Sequence, residues 1–119
     1  MKTPEEIRDI INQATGTTAY HIFSPIKGYP VITDGVRAVA EAAECFWLLD
    51  IIGSYQGDKR LDKDFQVWAL TKNEDNSAKV QGYNDTTLII TQEIEWTDFP
   101  LHDIELWVEN GVILLPSEH

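Results

Sequence analysis

After Lys79 the sequence has no lysine or arginine, yet Asp85, Glu93, Glu95, Asp98, Asp103, Glu105, Glu109 and Glu118 all follow it. Residues 1–79 hold 12 acids against 9 bases, so eight of the eleven net negative charges lie in the final third. Nucleic acids and anionic lipids are gripped by basic groups that displace counterions, so this deficit argues against direct binding of either. Carboxylates without counter-charges repel one another and raise the negative potential of the surface they share. A positively charged partner would relieve that cost.

Other absences narrow the chemistry. Cys45 stands alone, so no internal disulfide forms and a reducing cytoplasm is the expected compartment. No stretch approaches the roughly 18 apolar residues needed to span a bilayer. The opening MKTPEEIRDI lacks the apolar centre of a signal peptide. His21, His102 and His119 show no ligand spacing, so neither a metal nor another cofactor is expected, and His119 reads as a mobile end. There is no glycine-rich phosphate cradle and no Gly-x-Ser-x-Gly turn. Cys45 lies in the apolar run CFWLLDII, away from any base, and reads as a small core residue rather than a nucleophile.

What is present describes one α+β domain over residues 1–119, long enough to bury a single core. Thr3-Pro4-Glu5-Glu6 is a capping box, and Ile7, Ile10 and Ile11 continue it as a helix to about Ala14. A short strand at 19–23 and a loop at 24–30 follow. A second, longer helix is expected from Thr33 or Asp34 to about Tyr55. Its stripe is Val36, Val39, Ala40, Ala43, Trp47 and Ile51, and its second half is largely buried. Thr33-Asp34-Gly35 is its cap, not a phosphate-binding turn. Beyond the charged loop 57–64 the period becomes two, giving strands at 65–71, 78–83, 87–96, 104–109 and 112–115. Asn110-Gly111 marks a type I′ hairpin between the last two. The expectation is two helices packed on an antiparallel meander of about five strands.

Three functional readings arise. In the first, alternation puts Glu93 and Glu95 on the outer side of one strand, and Glu105, Trp107 and Glu109 on the outer side of another. Were these strands neighbours, their glutamates would form one acidic face, with Asp98 and Asp103 at its edge. Such a face suits a basic protein, including one whose nucleic-acid groove the carboxylates mimic, although it equally suits plain solubility. The second reading is a small ligand-binding domain or enzyme, with a polar pocket near Asp50, Gln56, Gln66, Gln92 and Asp98. Here Asp50 projects on the apolar stripe of the long helix, either as a perturbed acid or as an acceptor tying helix to sheet. In the third, Trp107 anchors a homodimer.

The words Thr33-Asp34-Gly35-Val36, Trp47-Leu48-Leu49-Asp50, Gln56, Phe65-Gln66-Val67-Trp68, Thr91-Gln92-Glu93-Ile94, Thr97-Asp98-Phe99-Pro100-Leu101, Leu106-Trp107-Val108 and Leu115-Pro116-Ser117-Glu118 occur in order from about residue 15 onward. In them the chain resembles a family of small bacterial and phage proteins classed only as a domain of unknown function. The resemblance implies a phage, prophage or mobile-element protein and brings no activity or catalytic residue. The combined expectation is a non-enzymatic interaction protein engaging a basic partner, such as a host defence or DNA-processing protein.

Overall fold

In the computed structural model, which describes residues 1–17 and 19–119, three helices lie on a seven-stranded mixed sheet. Helix α1 (Pro4–Gln13) begins with the expected capping box: Thr3 Oγ1 accepts from Glu6 N, and the Glu6 carboxylate accepts from Thr3 N. Strands β1 (Tyr20–His21) and β2 (Val31–Thr33) pair antiparallel and lead into α2 (Asp34–Ala43) and α3 (Phe46–Ser54). The rest of the sheet is β3 (Phe65–Lys72), β4 (Ala78–Asn84), β5 (Thr87–Ile94), β6 (Asp103–Glu109) and β7 (Val112–Leu114). A 3-10 turn, Pro116–Glu118, follows.

The long helix is two helices. Glu44 takes a left-handed conformation, φ 52° and ψ 47°, and closes α2, while Cys45 N donates to Ala40 O. Gly or Asn usually marks such a stop, because a Cβ disfavours that region; glutamate gives no such signal. The break resets the helical phase. Leu48, Leu49, Ile52 and Gly53 face the core, whereas Phe46 and Asp50 are exposed. The second half of the expected helix is therefore buried on one side only, and Asp50 does not share the stripe of α2.

The sheet is not a simple meander. Its order is β1-β2-β7-β6-β3-β4-β5, with β2 parallel to β7. Strands β3, β4 and β5 form an antiparallel meander, but β6 returns to pair on the far side of β3. The connection between β5 and β6 crosses the end of the β3–β4 hairpin. It is fastened by Thr97 N to Asn76 O, by Lys72 N to His102 O and by the Lys72 ammonium to Phe99 O. Its Phe99 and Leu101 side chains are buried in the core, which rewards the crossing. The expected hairpin does form between β6 and β7, with positive φ at both Asn110 and Gly111.

One face of the sheet holds the core. Trp68, Leu70, Val80, Ile90, Ile104, Leu106, Val108 and Ile113 join Ile7, Val36, Leu49 and Ile52 from the helices. Gly82 lies under the Trp68 ring, where a Cβ would come within 2.7 Å of it. Gly82→Ala should cost about 1–3 kcal/mol, as overpacking does, and chemical denaturation would measure it.

Candidate interaction face

The other side of the sheet is turned away from this core. On it β3 places Phe65, Val67, Ala69 and Thr71, β4 places Lys79, Gln81 and Tyr83, and β6 places Asp103, Glu105, Trp107 and Glu109. These side chains are half-buried or exposed, while their alternates are buried in the core.

Register sets them in rows across the strands. Leu114, Trp107, Val67 and Tyr83 form one row, and Glu105, Ala69, Gln81 and Thr91 the next. A third runs Asp103, Thr71, Lys79, Glu93. The centre is thus aliphatic and aromatic, with carboxylates on either flank. Phe65 meets the Trp107 ring edge-on, with centroids 5.2 Å apart. Lys79 is the only lysine or arginine that the described strand residues set on this face.

Glu93, Asp103, Glu105 and Glu109 share the face but not one ladder. Strands β5 and β6 are separated by β3 and β4, so Glu93 stands three strand spacings, about 14 Å, from Asp103. On β6, Asp103 and Glu105 lie about 7 Å apart, the two-residue repeat of a strand. Glu95 and Asp98 are exposed beyond the end of β5. Among the described residues Glu93, Glu95, Asp98 and Asp103 enter no ion pair.

Three expectations need correction. Glu109 has a counter-group, since His119 Nε2 lies 3.1 Å from its Oε2, an ion-pair distance without hydrogen-bond geometry. His119 is not a loose end: its ring stacks edge-on against Trp107, with centroids 5.1 Å apart. Trp107 itself donates Nε1–H to Glu105 and is half-buried beside Phe65 and His119. The third correction lies in β5. Gly82 pairs with Ile90 but Tyr83 pairs with Leu88, so Ile89 is an extra residue at a bulge. Leu88 therefore turns outward, 46% exposed, while Ile89 packs against the core. Alternation ends at Ile94, and Trp96 is 63% exposed rather than core-facing.

The expected polar pocket does not assemble. Gln56 and Gln66 bond each other reciprocally, Gln66 Oε1 also accepting from Trp68 Nε1 at 2.8 Å. Gln92 accepts from Tyr55 Oη. Asp50 lies beside Tyr29, whose hydroxyl is raised above its ordinary pKa by partial burial and then by that carboxylate. Asp98 borders a shallow hollow of about 180 Å³ with Trp47, Ile94, Trp96 and Thr97. Gln56 and Gln66 thus meet, while Gln92, Asp50 and Asp98 stand in settings of their own.

Burial pushes the Cys45 thiol up to about 12, so it carries no appreciable thiolate at neutral pH. Among the described residues no group of three or more His, Cys, Asp and Glu could hold a metal ion. Nor is any helix among them long and apolar enough to cross a membrane.

One arrangement carries no signal in composition or period. Glu118 folds back over the start of α2. Its Oε1 accepts from Thr33 Oγ1 at 2.7 Å and from Leu115 N at 3.0 Å, and its Oε2 accepts from Gly35 N at 3.3 Å. The four-residue words around Thr33 and Glu118 are therefore two halves of one joint.

No curated protein and no solved structure matches the chain. A family model does match, over residues 5–119, in keeping with a fold whose first helix and final turn pack on one sheet. By that match the chain belongs to DUF6876, a family of unknown function.

Proposed function

We propose that this chain is a non-enzymatic interaction protein that docks a basic protein on the face of its sheet turned away from the core. The observation behind this reading is the layout of that face: a half-buried aliphatic and aromatic centre flanked by carboxylates, with Lys79 among them. Protein interfaces have this anatomy, with an apolar core that excludes water and a polar rim that sets register and on-rate. The partner-facing residues are Glu93, Asp103, Glu105, Trp107 and Glu109 on the face of Val67 and Tyr83, with Glu95 and Asp98 beyond the end of β5. Because Val67, Tyr83 and Trp107 interrupt the acids, the face suits a folded basic surface better than a groove shaped for an evenly charged nucleic-acid backbone. The resemblance to phage proteins adds a host defence or DNA-processing protein as the partner class.

Poly-lysine serves as a probe of the charge layout. Neutralising Glu93, Glu95, Asp103 and Glu105 to their amides should weaken its binding about tenfold at moderate salt, and flatten the salt dependence. Neutralising Glu5, Asp9, Glu41 and Glu74 removes the same charge elsewhere and should cost no more than about threefold. Equal losses from both sets, read by titration calorimetry, would mean that only net charge matters and would end this reading.

A further inference from the structure

We infer that the free edge of β5 takes up an extended basic segment of the partner as an additional strand. This deepens the reading above and depends on it for the basic character of the partner. Among the described residues, strand β5 has eight residues and a neighbour, β4, on one side only. Alternate residues of such an edge direct their N–H and C=O groups outward, unpaired by the sheet. Natural edges of this length are commonly blunted by proline, lysine, a bulge or a covering loop. Between Thr87 and Ile94 there is no proline and no basic residue. The bulge at Ile89 disturbs one end and leaves 90–94 regular.

Charge selects the occupant. In the row Asp103, Thr71, Lys79, Glu93, the glutamate is the last residue before the edge, with Lys79 on its inner side. A lysine or arginine on an added strand would continue the row as alternating signs, with Glu95 just beyond. A second copy of this chain would instead bring another eleven net negative charges and its own Glu93 and Glu95 to the same seam. Size selects a further feature. At the end of β5 the hollow bounded by Trp47, Ile94, Trp96 and Asp98 is open, and Trp96 is 63% exposed beside it. An apolar side chain near one end of the added segment fits there. The occupant is thus an extended peptide with basic residues at every second position and one large apolar residue.

The test uses the full chain and a peptide of about nine residues, alternating lysine and valine and ending in phenylalanine. Its binding should slow amide exchange along Thr87–Ile94. It should weaken about tenfold when the peptide backbone nitrogens are methylated, which keeps its charge but removes its donors. Glu93→Gln should weaken it as well. Equal binding of the methylated peptide, or protection confined to other strands, would overturn the inference. So would protection of β5 in the chain alone at high concentration with a doubled mass in light scattering, since the edge would then belong to a second copy. A preference of poly-lysine for the face without protection of β5 would remove strand addition and leave the face reading standing. Protection of β5 without that preference would do the reverse.

Discussion

Gln66→Leu is expected to lower the unfolding free energy by about 3–5 kcal/mol, because it orphans several buried polar groups at once. Gln66 is wholly buried, and its amide is spoken for on both sides. Its Oε1 accepts from Trp68 Nε1 at 2.8 Å and from Gln56 Nε2 at 2.9 Å. Its Nε2 donates to Gln56 Oε1 at 3.0 Å and to Asp62 O at 2.9 Å. Leucine has nearly the same bulk, so packing is roughly kept and the loss is polar. The indole N–H of Trp68, a residue 1% exposed, has no route to water, whereas Gln56 and the Asp62 carbonyl lie nearer the surface. One full desolvation penalty and parts of two others make up the range. Trp68→Phe removes a single bond and leaves Gln66 paired to Gln56, so the polar part of its cost should be near 1 kcal/mol. Urea denaturation at constant m-value would compare them. A Gln66→Leu cost below about 1 kcal/mol would show that the network does not hold the loop 57–64 to β3. The same variant should leave the acids of the proposed docking face in place, which separates its effect from binding.

Much of this architecture is written locally in the chain, and what is missing is non-local. The capping box at Thr3, the Asn110-Gly111 hairpin, the four long strands β3–β6 and the short β7 all follow from neighbours in sequence. Alternation also places Glu105, Trp107 and Glu109 together, because β6 runs without a bulge. Several features escape for physical reasons. The stop at Glu44 uses a residue that rarely adopts a left-handed conformation, so two helices read as one and Asp50 is misplaced. The bulge at Ile89 exchanges the sides of two apolar neighbours that look alike in any periodic pattern. Strand order depends on where the Phe99–Leu101 side of the connection packs, and the same alternation would serve an uninterrupted meander. That last miss matters most for function, since it spreads the acids over a face with an apolar centre. The small strand β2 escapes too, because three residues beside a proline carry too little pattern to register.

Glu118→Ala should cost about 2–4 kcal/mol, and the loss should be coupled to Gly35. The carboxylate joins the final turn to the start of α2, 83 residues away from Gly35 in sequence. Thr33 Oγ1 accepts from Val36 N as the helix cap while donating to Glu118 Oε1, so one hydroxyl serves both ends of the joint. Bonds to a carboxylate are stronger than neutral ones, and a negative charge beside the first turn of a helix gains a further fraction of a kcal/mol to about 1 kcal/mol. Glu118→Gln keeps the shape but turns one acceptor into a donor that faces other donors, so about half of the loss should remain. The glycine supplies the control. A Cβ at Gly35 would lie 2.8 Å from the Glu118 carboxylate, so Gly35→Ala must push that group away in the native chain. Once Glu118 is alanine the obstruction is gone, and Gly35→Ala should become nearly neutral or even gain about 0.5 kcal/mol from helix propensity. A coupling of at least about 1 kcal/mol in the double-mutant cycle is therefore expected. Strict additivity of the two substitutions would mean that the carboxylate does not occupy the mouth of α2 in solution, and the final turn would then owe its position to the buried Leu115 alone.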